Sequence, residues 1–341
     1  MELYPEECKT GKRNALTDVP GVLVGHCTVN TEENHTGVTV IVPGPGNAFA
    51  NHYTAAAYVH NGFGKSAGLV QVEELGTLET PIALTNTLNV GKVWDALVDI
   101  VIEQCQNDGL EPMSINPVVG ECNDCRINQI QKRAVGEKEV RQAFAAASEE
   151  FEEGDVGAGA GTICYGMKGG IGSASRVICI GEKEYTIGVL VQSNFGATED
   201  FILNGEAVGS KILEWKQEKN DMAASEEDKG SIMSILATDL PLTSRQLKRI
   251  LKMNRGWHCT NRRLYRTWKR RSHDRLYNSK PDSVRLRGGT PSTISNSGAC
   301  DQPDFSRCSR SRTGSDFKFH DGCKTNTRKR WRAVLQPCRI P

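Results

Sequence analysis

The sequence predicts an α+β fold in which sheets and helices pack in layers. Short runs rich in aliphatic and β-branched residues are separated by Gly, Pro and Asn, as in buried strands; they include GVLVGHCTV, TGVTVIVPG, PIALTNT, SRVICIG and YTIGVLVQS. Two segments, GKVWDALVDIVIEQC and EKEVRQAFAAASEEFEEG, repeat apolar residues at helical spacing. We expect the first helix to bury Val93, Leu97 and Ile100, and the second helix to end at Gly154.

Charge is distributed unevenly along the chain. The 341 residues are 38% hydrophobic, which suffices for one large or two ordinary domains, and the net charge is +1. Residues 1–250 hold 20 Lys and Arg against 35 Asp and Glu, whereas residues 251–341 hold 22 against 6 and contain no glutamate. The basic region also lacks helical or strand periodicity. The sequence therefore predicts a structured domain over 1–255 and a basic, irregular tail over 256–341.

The basic tail raises the hypothesis of nucleic-acid binding, because Lys and Arg neutralise phosphates and aromatic side chains stack on bases. The tail contains no zinc finger, recognition helix or aromatic ribonucleoprotein motif. We therefore expect no nucleic-acid partner, and the sequence favours a disordered or aberrant tail.

Cellular location is predicted from the N-terminus, the hydropathy and the cysteines. No apolar run approaches membrane-spanning length, and the N-terminal segment MELYPEECKTGKRNALTDVPG lacks the basic-then-apolar order of a secretory signal. The twelve cysteines are scattered without the spacing of a disulfide framework. We expect a cytoplasmic protein with reduced thiols and no membrane association.

Two local motifs raise the question of a cofactor or a metal. The glycine-dense segment 154–176 does not match the P-loop pattern, because glycine follows Lys168 where a hydroxyl residue is needed. Close packing of backbones is the better interpretation of this segment. Cys122 and Cys125 have the spacing of a zinc or redox pair, but no second pair accompanies them. The sequence therefore predicts no metal and no cofactor.

The dipeptide Gly230-Ser231 separates the polar stretch SEEDK from the apolar run IMSILA. A serine at such a junction fits an N-terminal nucleophile, whose hydroxyl attacks the preceding carbonyl so that the chain cuts itself. Glycine before the serine tolerates the backbone conformation that exposes this carbonyl. The cut would free an α-amino group with a pKa of about 7.7–8.0, which can accept the proton of Ser231. The dipeptide is common, so this hypothesis depends on its sequence context.

Six segments in a fixed order supply that context. They are RNALTDVPGVLVGH, NGFGKSAGLVQVEELGTLETPIALTNTLNVG, NPVVGECND, MKGGIGSASR, IGVLVQSNFG and GSIMSILATDLPLTSRQLKRI. Over about residues 13–253 the chain resembles the DmpA-like family, the L-aminopeptidase/D-esterase and β-aminopeptidase group of self-processing serine peptidases. The resemblance implies an αββα sandwich like that of N-terminal nucleophile hydrolases, with different connectivity. It also implies an α chain over 1–230 and a β chain that starts at residue 231.

The resemblance implies catalytic residues as well. The family's cleavage bond corresponds to Gly230-Ser231, with Ser231 as nucleophile, and its oxyanion-stabilising asparagine corresponds to Asn194 in VLVQSNFG. Asn123 in GECND lies where some members carry a tyrosine that faces the oxyanion, so it is either a catalytic donor or a turn residue.

The implied reaction releases an N-terminal residue from a short peptide, amide or ester through an acyl-enzyme. It needs no cofactor, and the family suggests a homo-oligomer of processed αβ units. A carboxylate should hold the ammonium group of the substrate. Glu79 and Glu121 are both candidates, and the sequence does not choose between them.

The resemblance ends near residue 255. Family members continue with a segment of the form GIARTGGYTGHGSGD, whose serine and acidic residue belong to the catalytic network, whereas this chain has WHCTNRRLYRTWKRR at 257–271. Codons exist for 257–271 that, translated one base later, encode the family segment. We therefore expect a slip of the reading frame near residue 256. The codons of the two family residues would straddle Lys269 and Arg270, and Arg271 and Ser272, so neither side chain is present.

Two functions of different classes follow from these observations. The first is a self-processing serine aminopeptidase. The alternative is a catalytically defective, frameshifted homologue, or a non-enzymatic protein whose basic tail binds acidic partners.

Overall fold

The computed structural model describes residues 9–60, 62–203, 206–218, 230–253 and 332–333, all of which belong to one compact unit. Almost all of the predicted tail lies outside the described residues. The boundary predicted at residue 255 therefore stays a prediction.

The described residues contain twelve strands and five α-helices. The strands are β1 Leu23–Asn30, β2 His35–Val42, β3 Tyr53–Thr54, β4 Thr77–Leu78, β5 Ile82–Asn86, β6 Val118–Cys122, β7 Ile163–Cys164, β8 Met167–Lys168, β9 Gly170–Ile180, β10 Lys183–Asn194, β11 Ser231–Thr238 and β12 Arg332–Ala333. The helices are α1 Leu69–Leu75, α2 Val90–Asn107, α3 Glu137–Ala145, α4 Val208–Glu218 and α5 Ser244–Met253. Among the described helices, none combines the length and apolar composition that crossing a bilayer requires.

Within the described residues, eight of the strands form two four-stranded sheets. The first sheet has the order β1-β2-β5-β6, with β5 parallel to β6 and the other pairs antiparallel. A parallel pair needs a crossover, which α2 provides. The second sheet has the order β12-β11-β10-β9 and is antiparallel throughout. Two short pairs, β3 with β4 and β7 with β8, lie outside these sheets.

The two sheets pack face to face across an apolar layer. Val24 and Leu84 of the first sheet are buried in this layer with Leu190 and Ile235 of the second sheet. Because side chains alternate along a strand, the neighbours of these residues point outward and need a second cover. Helices supply this cover on both sides of the sandwich.

The outer face of the first sheet packs against α2 and α3, and that of the second sheet packs against α5. Val40 is buried with Leu97 of α2 and Ala143 of α3, and Leu236 is buried with Leu247 and Leu251 of α5. The layers therefore follow the order helix, sheet, sheet, helix. The predicted α+β class and αββα sandwich are confirmed.

The second predicted helix is shorter than expected, because α3 ends at Ala145 and not at Gly154. Three residues further on, Ser148 forms an antiparallel bridge to the edge strand β1: its N–H donates to the carbonyl of Val24 at 3.1 Å, and Val24 donates back at 3.0 Å. Pairing with an edge strand satisfies the backbone groups that a longer helix would have satisfied internally. The sequence prediction was wrong here because tertiary pairing outweighs helix propensity.

The glycine-dense segment packs backbone against backbone, as its sequence predicted. A Cβ added to Gly159 would lie 2.6 Å from the backbone nitrogen of Ile171, and one added to Gly170 would lie 2.3 Å from the carbonyl oxygen of Gly154. Only glycine allows backbones to approach this closely. The segment brings the β7–β8 hairpin against the end of β10, next to the predicted site.

His26 of β1 is a titratable group enclosed between the first sheet and the segment after α3. Its Nε2 lies 3.1 Å from the carbonyl oxygen of Glu152, so this nitrogen carries the proton, and its Nδ1 lies 2.9 Å from the hydroxyl of Thr39, which donates to it. Burial lowers the pKa of His26 to about 4, against the opposing effect of the Glu152 hydrogen bond. The fold therefore selects the neutral imidazole.

This burial predicts a loss of stability in mild acid. Between pH 6.5 and about 4 the unfolded chain binds a proton at His26 that the folded chain does not, so the free energy of unfolding falls as the pH decreases through this range. In His26→Gln this contribution is absent, and the stability of the variant should depend less on pH. Urea unfolding at several pH values measures the difference; equal slopes in the two proteins would show that His26 is not buried in its neutral form.

Candidate active site

Ser231 is the first residue of β11 and lies directly opposite Asn194, the last residue of β10. Eight consecutive pairs between these strands, from Asn194 with Ser231 to Ile187 with Thr238, fix this register. The register is strongly specified, because a shift by one residue would exchange the buried and outward faces of β11. The core of the sandwich thus holds Ser231 beside Asn194.

The side-chain amide of Asn194 has a defined orientation. The backbone N–H of Ile163 donates to its Oδ1 at 3.0 Å, so the NH₂ group must point the other way. Its Nδ2 donates to the hydroxyl oxygen of Ser231 at 3.0 Å and to the backbone carbonyl of Asn123 at 2.9 Å. The β7–β8 hairpin therefore aims the amide of Asn194 at Ser231.

Asn123 lies immediately after β6, at an edge of the first sheet. Its backbone N–H points to the hydroxyl oxygen of Ser231 with an N–O distance of 3.4 Å. Its side-chain Oδ1 accepts the N–H of Cys125 at 3.1 Å, as in a turn. The structure thus brings together Ser231, Asn194 and Asn123, with the backbone of Asn123, and not its side chain, facing the serine.

The two candidate carboxylates occupy different places. Glu121 is buried two residues before Asn123, where its Oε1 accepts the backbone N–H of Lys65 at 2.8 Å and its Oε2 accepts the hydroxyl of Thr87. Glu79 lies just before the start of β5, where it accepts hydrogen bonds from Gln71 and from the backbone N–H of Asn116. Because β5 runs parallel to β6, Glu79 and Asn123 lie at opposite ends of this strand pair. Only Glu121 lies at the strand end that carries Asn123.

The two cysteines of the Cys122-x-x-Cys125 pair differ in solvent exposure. Cys125 is exposed, whereas Cys122 is fully buried, with its Sγ 3.7 Å from the carbonyl oxygen of Gln192. Burial raises the pKa of the Cys122 thiol to about 12, against the lowering effect of a hydrogen bond with Ser231. Within the described ranges, no group of three or more His, Cys, Asp or Glu could hold a metal ion. Cys122 is therefore a neutral thiol beside Ser231.

Chemically, the arrangement offers one hydroxyl and two hydrogen-bond donors that come from different sheets. Such donors stabilise the negative oxygen of a tetrahedral intermediate when a serine attacks a carbonyl. Among the described residues, no histidine or carboxylate forms a hydrogen bond with the Ser231 hydroxyl. A base for this serine has to come from elsewhere.

Sequence reasoning missed the backbone donors of this site. The N–H groups of Asn123, Ile163 and Lys65 each lie within hydrogen-bond distance of an atom of a candidate site residue, yet any non-proline residue could provide them. No sequence signal marks such donors, because the backbone conformation and not the side chain places them.

Comparison with known proteins identifies the family. The model of peptidase family S58 matches residues 14–256. The beta-peptidyl aminopeptidase BapA of Sphingosinicella xenopeptidilytica is 37% identical over 264 residues, a match that covers 73% of this chain and 65% of that protein. The chain thus corresponds to about two thirds of the length of this curated relative.

Two solved structures have a similar fold. A protein of Pyrococcus horikoshii OT3 is 44% identical with a TM-score of 0.66, over 72% of this chain and 69% of that chain. The L-aminopeptidase D-Ala-esterase/amidase of Ochrobactrum anthropi, a prototype of the serine aminopeptidases and a variant of the Ntn hydrolase fold, is 33% identical with a TM-score of 0.63, over 73% and 69%. These matches confirm the resemblance carried by the six sequence segments: the chain belongs to peptidase family S58.

Proposed function

We propose that this chain is a self-processing serine aminopeptidase in which Ser231 becomes an N-terminal nucleophile. The observation that carries the proposal is the 3.0 Å hydrogen bond from the Asn194 amide to the hydroxyl oxygen of a serine that opens a buried strand and follows glycine. The names of the relatives support an aminopeptidase, since they describe a beta-peptidyl aminopeptidase and a serine aminopeptidase.

Self-cleavage provides the base that the described site lacks. The hydroxyl oxygen of Ser231 attacks the carbonyl carbon of Gly230, and the peptide C–N bond breaks as the nitrogen takes up a proton, leaving an ester. This step already frees the α-amino group of Ser231, and water then hydrolyses the ester, which releases a carboxylate on Gly230 and restores the hydroxyl of Ser231. With a pKa of about 7.7–8.0, this amine is partly neutral at physiological pH and accepts the hydroxyl proton in later turnovers.

Substrate hydrolysis repeats the same chemistry on a second molecule. Ser231 attacks the carbonyl of the N-terminal residue, the amine or alcohol leaves, and water hydrolyses the acyl-enzyme. The Asn194 Nδ2 and the Asn123 backbone N–H donate to the carbonyl oxygen as it becomes negative. One such donor typically lowers the barrier by about 3–4 kcal/mol.

We propose Glu121 as the residue that holds the ammonium group of the substrate. Its carboxylate lies on the strand that leads to Asn123, its two oxygens accept hydrogen bonds from neutral donors, and no Lys or Arg side chain among the described residues forms an ion pair with it. Glu79 is less suitable because it precedes the start of β5, whereas Asn123 follows the end of the parallel strand β6. The proposed substrates are therefore short peptides, amides or esters with a free amine.

We also propose that the protein is cytoplasmic and that the processed αβ units assemble into a homo-oligomer.

We further propose that the reading frame slips near residue 256. The family match ends at that residue. On the side of β11 away from β10, Ala237 and Thr238 are the residues for which the described part of the chain provides a partner strand. Ile187 and Val189 on the outer face of the second sheet are only partly buried. These features support a sandwich whose remaining strands and helices are encoded in the other frame.

Intact mass spectrometry of the purified chain tests the proposed function. We expect fragments of residues 1–230 and 231–341, and their absence in Ser231→Ala, because the variant has no hydroxyl to attack Gly230. The gene with one base removed after codon 256 should be expressed in parallel, and its product should contain GIARTGGYTGHGSGD. If only this product cuts itself, the chain as given is a defective homologue. If both folded proteins stay uncut, the proposed function is wrong.

Glu121 is tested against Glu79 in whichever protein cuts itself. Glu121→Gln keeps the size of the side chain and one acceptor oxygen for the Lys65 N–H, but removes the charge, so KM for a substrate with a free amine should rise about tenfold or more, with little change for the N-acetylated form of the same substrate. Glu79→Gln is the matched control and should leave KM unchanged. Equal effects of the two variants would assign the ammonium to neither residue.

A further inference from the structure

The turn after β6 directs both backbone groups of Asn123, its N–H and its carbonyl, towards the proposed catalytic residues. The N–H of Asn123 points to the Ser231 hydroxyl, and its carbonyl accepts a hydrogen bond from Asn194 at 2.9 Å. The next residue, Asp124, is buried, at 2% exposed. The structure therefore joins a catalytic peptide group directly to a carboxylate in the protein interior.

The Asp124 carboxylate is held by neutral donors from separate parts of the chain. Its Oδ2 accepts the hydroxyl of Thr36 at the start of β2 at 2.6 Å, and its Oδ1 accepts the amide of Asn128 at 2.9 Å. Thr36 in turn accepts a hydrogen bond from Asn86 at the end of β5 at 2.8 Å. The carboxylate thus links β2, β5 and the turn at one edge of the first sheet.

Two acceptor oxygens are needed at this position. The Thr36 hydroxyl and the Asn128 amide both donate, and the oxygen of the Asn128 amide already accepts a hydrogen bond from Asn34 at 2.9 Å. An apolar residue would leave both donors unsatisfied in the interior. Burial raises the pKa of Asp124, while the hydrogen bonds from Thr36 and Asn128 lower it. Burial of the Asp124 carboxylate is unfavourable by itself, but its two hydrogen bonds hold the turn in one conformation.

We infer that Asp124 is a positioning residue, whose carboxylate fixes the turn so that the Asn123 N–H points to the oxyanion site beside Ser231. The inference deepens the proposed function and rests on it for its catalytic consequence, but not for the geometry. An oxyanion donor acts only when its distance is correct to within a fraction of an ångström. Asp124 touches neither the substrate nor Ser231, and acts through the Asn123 peptide.

The geometry is tested without activity, on the full 341-residue chain. In Asp124→Ala the amide of Asn123 should exchange its hydrogen at least about tenfold faster than in the unchanged protein, since local opening of the turn becomes easier. The amide of Leu84, in the middle of β5, should exchange at the same rate in both. Asp124→Asn keeps one acceptor oxygen and should restore part of the protection.

A matched control separates positioning from general stability. Asn34→Ala removes the hydrogen bond from Asn34 to Asn128 but leaves both donors to Asp124, so it should lower the melting temperature without changing exchange at Asn123. If Asp124→Ala does not fold, Thr36→Val removes one donor with little change in shape and should show a smaller increase in exchange. Unchanged exchange at Asn123 in the folded Asp124 and Thr36 variants would overturn the inference, as would an equal increase in Asn34→Ala.

The catalytic consequence is measured in whichever protein cuts itself. Asp124→Ala should lower kcat by about tenfold or more and leave KM within about twofold, because the Asn123 N–H binds the transition state more strongly than the substrate. Asn34→Ala should keep kcat. A protein that never cuts itself refutes the proposed function, and the exchange experiment still decides the inference; a cutting protein whose kcat is unaffected by Asp124→Ala refutes the inference alone.

Discussion

The antiparallel pairing of β10 with β11 is the constraint on which the proposed site depends. It puts Asn194 opposite Ser231, and the buried apolar residues of the two strands, such as Leu190 before Asn194 and Ile235 after Ser231, fix the register. The amide of Asn194 could still point either way, and the N–H of Ile163 removes this freedom. The contact between Asn194 and Ser231 is therefore a result of core packing and one backbone hydrogen bond.

The site also depends on how the first sheet meets the second. Gln192, two residues before Asn194, is fully buried, and its amide nitrogen donates to the carbonyl oxygens of Ala158 at 2.7 Å and Thr85 at 3.3 Å. The backbone carbonyl of Gln192 accepts the thiol of Cys122, whereas its side-chain Oε1 has no hydrogen-bond partner among the described residues. These hydrogen bonds connect the two sheets at the end of the apolar layer. The Asn123 peptide therefore reaches Ser231 across the seam between the sheets.

Much of the fold could be predicted from the sequence, because the β-rich runs and the apolar face of α2 are strong local patterns. The end of α3 could not, since it depends on the pairing of Ser148 with β1, which is remote in sequence. The Gly230-Ser231 junction suggested Ser231 as a nucleophile, but this hypothesis depended on the family resemblance, and Asn194 was predicted from the resemblance alone. The orientation of Asn123 and the choice of Glu121 required coordinates, because both depend on which strand ends meet. The predicted frame slip falls outside the described residues.

Covalent labelling of the serine tests the central claim most directly. A sulfonyl fluoride reacts with a serine hydroxyl when that hydroxyl is activated and the developing charge is stabilised, and it releases fluoride. We expect peptide mapping of the labelled, self-cleaved protein to find the adduct on Ser231, with much slower labelling in Asn194→Ala, whose Nδ2 no longer donates. A folded protein that is labelled on other residues but not on Ser231, or at the same rate in Asn194→Ala, would contradict the account.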